Sequence, residues 1–264
     1  MEKKTLHISK RSSFTVALVM MAAVLLTSCT TVTVTKSESP MTSKQFTTEA
    51  FHRIYLQGSP TVCYTQADTV SVHVEAPEDL MEYVVAEVKD SCLTIHMADQ
   101  SKALLRHGRL LQGDEITVYV TSPDLTDVQL HGSGDFNSDM LVDTDNLTLD
   151  LHGSGTIRFN DIICDHLKTT LVGSGDVDVK HVVAATSMLE LVGSGDIDIN
   201  HDRVATTEIM LKGSGDVEAS FIQCGQVTAE LRGSGDIELK GNAQHLVSHQ
   251  IGSGTISSEQ LVTQ

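Results

Sequence analysis

From about residue 125 onward apolar and polar side chains alternate, as in Asp176-Val177-Asp178-Val179, and the pattern restarts at nearly constant intervals. A period of two describes strands with one buried face, and no helical period interrupts it. Each restart is marked by Gly-Ser-Gly, found seven times with its first glycine at 132, 153, 173, 193, 213, 233 and 252. Two residues before that glycine stand Leu130, Leu151, Leu171, Leu191, Leu211 and Leu231, with Gln250 ending the series. Four residues after it come Phe136, Ile157, Val177, Ile197, Val217, Ile237 and Ile256, and two further on Ser138, Phe159, Val179, Ile199, Ala219, Leu239 and Ser258. Each repeat therefore supplies a strand, a tight glycine corner, a second strand and a return segment.

Two architectures fit such a repeat. If Gly-Ser-Gly is a hairpin turn, the array is an antiparallel meander. If it is a corner, each repeat is one coil of a parallel β-helix with equivalent residues stacked about 4.8 Å apart. The near-constant repeat length suits coils. So does the return segment, where Ile162, Val182 and Ile222, nine residues past their glycines, suit a third buried strand. The sequence thus predicts an all-β fold, a right-handed parallel β-helix (solenoid) of about 20-residue coils, since parallel crossovers are nearly always right-handed. Cys164 and Cys224 fall in one column three coils apart, roughly 14 Å, too far for a disulfide. Cys63 and Cys92 are the pair that could bond in an export compartment.

Residues 46–124 are strand-rich but lack the Gly-Ser-Gly clock, and are expected to form irregular opening coils. Pro77-Glu78-Asp79, followed by Leu80, Val84 and Val88, predicts one short helix acting as an end cover, with acids in its first turn. The seven regular repeats occupy 125–264. Ser248, Gln250 and Ser258, in columns otherwise apolar, mark a fading last coil.

The start of the chain reads as an address. Lys3, Lys4, Lys10 and Arg11 precede the uncharged run Phe14–Leu26, whose 13 residues are too few to span a membrane. Leu26-Thr27-Ser28-Cys29 resembles a bacterial lipobox, so residues 1–28 are expected to be a lipoprotein signal peptide with Cys29 lipidated. Thr30, where aspartate retains many lipoproteins at the inner membrane, favours the outer membrane. Residues 29–45, rich in Ser and Thr, read as a polar tether.

Composition narrows the function. The chain carries 35 acidic and 18 basic residues, a net charge of −17, and removal of residues 1–28 takes it to −20. Such a surface repels phosphates, which excludes a general nucleic-acid binder. The expected partners are the membrane, through the N-terminal lipid, and a glycan or protein ligand. The acids also repeat. Asp135, Asp176, Asp196, Asp216 and Asp236 stand three residues past the first glycine, and Asp178, Asp198, Glu218 and Glu238 stand two further on. Stacked carboxylates near 5 Å repel by about 1 kcal/mol per pair in water-like surroundings. Calcium would relieve this, making Asp176, Asp178, Asp196, Asp198, Asp216, Glu218, Asp236 and Glu238 the candidate ligands. The competing reading gives the first column hydrogen bonds to corner amides and leaves the second a solvated face. No other cofactor is expected.

Gly-Ser-Gly-Asp is followed by a strand, not the helix start a phosphate loop needs. His131 and His152 are stacked neighbours, but Val172 follows them in the column, so no third ligand recurs. A polysaccharide lyase or hydrolase on a β-helix is the alternative activity. It would need a cleft with aromatic platforms, and from Asp135 onward the only aromatics are Phe136, Phe159 and Phe221. No catalytic residue is expected.

Phe51-x-x-Ile54-x-Leu56-x-Gly58, Thr61-Val62, Val70-Ser71-Val72, Glu78-x-Leu80 and Glu87-Val88-Lys89-x-x-x-Leu93-Thr94-Ile95 resemble the putative auto-transporter adhesin, head GIN domain family. The recurrent Leu-x-Gly-Ser-Gly-Asp-Ile/Val extends the resemblance over about residues 46–257. It implies an exported all-β body of a kind common in Bacteroidetes, often with a lipoprotein signal, and suggests adhesion. It transfers no catalytic or binding residue. The expectation is a non-catalytic, membrane-anchored adhesion or envelope scaffold module.

Overall fold

The computed structural model describes residues 39–98 and 116–263. Cys29, the signal read at 1–28 and the first part of the tether lie outside them.

The alternating residues form strands that run into and out of each glycine corner. β8 (Asp127–Gly132) enters the first Gly-Ser-Gly and β9 (Asp135–Asp143) leaves it. β10 (Asn146–Gly153) enters the second, and β11 (Thr156–Gly173) and β12 (Asp176–Gly193) each run from one corner to the next. β13 (Asp196–Asp202), β14 (Thr206–Gly213), β15 (Asp216–Gly233), β16 (Asp236–Gly252) and β17 (Thr255–Thr263) complete the series. All these neighbours pair in parallel with equivalent repeat positions opposed: Gly153 on Gly173, Leu171 on Leu191, Val177 on Ile197. A hairpin at the corner would instead set Leu171 against Val177. The fold is a β-solenoid, not a meander.

Each coil meets the next along three stretches, as β11 meets β12 through Thr156–Phe159, Ile162–Cys164 and His166–Gly173. The alternation puts the same columns inside at every level. Leu130, Leu151, Leu171, Leu191, Leu211 and Leu231 are fully buried, as are Phe136, Ile157, Val179 and Ile199. Leucines of this size, fully withdrawn from water, each contribute about 2 kcal/mol. At the corners the serine amide donates to the first glycine's carbonyl one coil below, Ser174 to Gly153 at 2.9 Å and Ser214 to Gly193 at 2.8 Å. The coils therefore remain bonded through the turn.

The return segment departs from the expected pattern in one place. Pairing slips between Val179 and Val182, so that Val182 faces His201, and His201 faces Phe221. A one-residue slip turns every following side chain to the other face. Ile222, expected inside, is consequently 54% exposed, and Phe221 is buried in its place. Arg203 and Gln223 take left-handed backbone there (φ 55° and 53°), where the coil bends.

The opening region differs more. β2 (Arg53–Gly58) and β3 (Thr61–Gln66) flank an eighth corner, Gly58-Ser59-Pro60, with Leu56 under Leu130, Gly58 under Gly132 and Val62 under Phe136. The clock thus begins in a region where it was expected to be missing; proline at the third corner position hides it. On the far side of this coil lie β6 (Cys92–Met97), parallel to β2, and β7 (Thr117–Ser122), parallel to β3. The outermost strands run antiparallel: β4 (Ser71–Pro77) on β7, β1 (Met41–Phe46) on β4, and β5 (Val84–Lys89) on β6. Residues 41–45, read as tether, are therefore strand. Helix α1 is only Glu78–Met81, with Leu80 buried; Val84 and Val88, spaced like a helix face, belong to β5. Strands, more than the helix, cover this end. Antiparallel neighbours need only short connections, which suits a chain folding back over its own first coil.

Candidate functional site

The two acidic columns lie on the strands that leave the corners. Asp176, Asp196, Asp216 and Asp236 stack in register, as do Asp178, Asp198, Glu218 and Glu238. Their roles separate. In the first column three of the four carboxylates reach the next coil's backbone: Asp216 N–H donates to Asp196 Oδ1 at 3.2 Å, Asp236 N–H to Asp216 Oδ1 at 3.1 Å, and Thr255 N–H to Asp236 Oδ1 at 2.8 Å, whereas Asp196 N–H donates to the Gly175 carbonyl. These acids tie coil to coil.

The second column is used differently. Lys240 Nζ lies 2.6 Å from Glu218 and 3.2 Å from Glu238, which raises its own pKa. Asp178 and Asp198 accept no hydrogen bond from the described residues. Partial burial, with Glu218 and Asp178 as like-charged neighbours, holds the Asp198 carboxyl above its usual range, while Lys240 offsets part of this. Of the eight candidate calcium ligands the structure makes two ladders. Among the described residues no group of three or more His, Cys, Asp or Glu converges as a metal site.

On the strands that enter the corners, Tyr55, His131 and His152 form a surface row, with ring centroids 5.1 and 4.8 Å apart. Burial and the neighbouring His152 lower the His131 pKa. Val172 is the next residue in that column, opposite His152. On the return side His181 bridges Asp161 at 3.2 Å and Asp202 at 3.5 Å, and Arg203 pairs with Asp202 at 3.0 Å. Sequence reading missed this cluster, because the register slip brings Asp202 beside His181.

His201 was also missed. It is buried in the core, its Nε2 3.0 Å from Ser187 Oγ and its ring stacked on Phe221 at 5.1 Å. Nδ1 is buried without a partner, and desolvation lowers the pKa to about 4. Phe136 and Phe159 stack in the core at 5.5 Å, and with Phe221 they leave no aromatic platform on the repeats.

Cys63, Cys92, Cys164 and Cys224 are all free thiols. The pair Cys63–Cys92 is not bonded: Cys63 lies on β3, beside Tyr119, and Cys92 lies on β6, beside Arg53, on different sides of the coil. Cys164 and Cys224 are buried in line with Ala184 and Ala243. Burial pushes the Cys164 thiol up to about 11.

The family model for the putative auto-transporter adhesin, head GIN domain, matches residues 50–243 and again 178–264. The chain belongs to this family. The two matches overlap because the repeat lets the model fit in more than one register. Among solved structures, a putative adhesin from Bacteroides fragilis superposes with a TM-score of 0.74 at 23% identity, over 84% of this chain and 98% of that one. A putative lipid binding protein from Parabacteroides distasonis gives 0.66 at 19% identity, over 85% and 98%. A putative adhesin from Parabacteroides merdae gives 0.56 at 19%, over 84% and 97%. At these identities the likeness establishes the fold alone. No protein of curated function matches the chain. For a head GIN domain protein, the acidic ladders, the histidine row and the buried His201 are the features on which a function must be built.

Proposed function

We propose that this head GIN domain protein is a non-catalytic adhesion module of the cell envelope, anchored to the outer membrane by lipid on Cys29. Its second acidic ladder, Asp178, Asp198, Glu218 and Glu238, receives a basic partner. The division between the ladders carries this reading. Asp196, Asp216 and Asp236 of the first column are engaged in bonds between coils, whereas Asp178 and Asp198 of the second remain exposed or half-exposed, mutually repelling and without hydrogen-bond partners among the described residues. A cationic ligand lying along the column would relieve that repulsion, and the surrounding charge would steer it in. Rung-to-rung repetition of these acids also favours an extended binding face over a catalytic centre, which needs a local break in the repeat.

The test is a screen of the purified protein against host and capsular glycans, basic proteins and lipid vesicles. Binding should weaken as ionic strength rises, and Asp178→Asn with Asp198→Asn should reduce affinity at least tenfold while thermal unfolding is unchanged or slightly raised. Salt-insensitive binding, or full binding by that variant, refutes the acidic face. Turnover of any glycan refutes the non-catalytic reading. Labelled fatty acid should enter the wild-type chain and not Cys29→Ala; equal labelling refutes the anchor.

A further inference from the structure

The two ends of the solenoid are built differently. At one end the chain doubles back, so that antiparallel β1, β4 and β5 and helix α1 lie over the first coils. At the other, β17 pairs with the Asp236–Ala243 part of β16, and the rest of β16 pairs only with β15. No described strand lies beyond either. Among the described residues, nine of β17 and about as many of β16 therefore have no strand on their outer side, and such a row of backbone N–H and C=O groups is a ready template for another strand.

Soluble β proteins usually blunt such an edge with charge. Here charge is missing. Residues 201–240 carry eleven charged side chains, whereas 241–264 carry one, Glu259. The apolar residues of the last coil are correspondingly open. Leu246, Ile256 and Leu261 are only partly covered, and Val247, Ile251 and Val262 are more than half exposed. Between Leu246, Ser258 and Leu261 a cavity of about 410 Å³ opens at this end.

We propose that this end is an interface between two copies of the chain, joined end to end about a twofold axis. On a molecule with a charge of −17, two copies repel over most of their surface. The near-neutral last coil is where they can approach. An isologous contact sets an edge against an identical edge running the opposite way, so that antiparallel pairing follows from the symmetry. Such a pair closes and does not propagate, because each copy's other end carries Lys44, Glu87 and Lys89 on its outermost strands. Ser248 and Gln250, opposite the buried Ala229 and Leu231 of the preceding coil, are polar and exposed, which keeps the isolated end soluble.

Light scattering of the detergent-extracted full chain, corrected for detergent, tests this. The wild type should reach twice the chain mass as concentration rises. Ser248→Glu with Val262→Glu, both at exposed positions, should halve that mass without changing the circular dichroism melt. Met140→Glu, exposed at a distance from this end, should leave the mass at two. Mixing the glutamate variant with Ser248→Lys/Val262→Lys should restore the two-chain mass, which no folding defect could mimic. A wild type that stays single, a glutamate variant that stays double, dissociation by Met140→Glu, failure of the mixture to pair, or masses growing beyond two would each overturn the proposal.

Discussion

At the scale of single residues, the corner glycines are explained by close approach as much as by backbone freedom. A Cβ on Gly195 would lie 2.1 Å from the carbonyl oxygen of Gly175 in the coil below, and its backbone needs no left-handed angle. Gly193 meets the same crowding from Gly173 and adds φ +139°. The crowding comes from stacking and would not exist in an isolated turn, whereas the positive φ belongs to the corner itself. Gly195→Ala is expected to destabilise the protein by about 2 kcal/mol or more, while Ser194→Ala, on the exposed middle residue, stays within about 0.5 kcal/mol. Denaturant midpoints measured on the two variants check this. Equal midpoints would mean that the coils can separate at the corner without cost.

At the scale of elements, the return segment is where sequence periodicity and structure part. The strands entering and leaving each corner have three strong inner columns, and one repeat predicts the next. The return strand has a short apolar stretch, and His201 enters its core column through the slip in pairing at Val182. That slip decides a pH response. In the folded chain the His201 pKa is about 4, against 6.5 for an exposed imidazole. The unfolded chain therefore binds more protons between these values, and stability falls as pH drops from about 6.5 toward 4. The limiting loss is on the order of 3 kcal/mol for a fully buried ring. Melting curves across this range should show the decline in the wild type and a flatter profile in His201→Phe, even if Ser187, left unpaired, lowers its plateau. Parallel profiles would remove His201 from the acid response.

At the scale of the whole molecule, charge and architecture are linked through the coil spacing. Stacking a 20-residue repeat gathers like charges into columns, and the structure answers this within the chain. First-column carboxylates accept amides from the next coil, and Lys240 sits between Glu218 and Glu238. These contacts leave Asp178 and Asp198 unengaged, but no group of three or more His, Cys, Asp or Glu converges among the described residues. Calcium takes about six to eight oxygen ligands, so thermal unfolding is expected to be the same with and without a calcium chelator. A drop in melting temperature on chelation, reversed by added calcium, would give the ladders a metal. The same stacking leaves one blunt neutral end and one folded-over end, an asymmetry visible only once the coils are assembled.

The sequence by itself determined the repeating unit: the strand alternation, the corner positions, the inner columns of leucine and branched residues, and the two acidic ladders. All are encoded within twenty residues of one another, and repetition multiplies a weak local signal. Only the tertiary structure decided which coil lies on which at the opening end, where β6 and β7 sit outside β2 and β3 despite following them in the chain. It alone revealed the Gly58-Ser59-Pro60 corner, separated Cys63 from Cys92, and chose which residue of the return segment turned inward. These are matters of register and non-local pairing. Their free energy lies in contacts between distant segments, and a one-residue shift, invisible in composition, exchanges the inside of a strand for its outside.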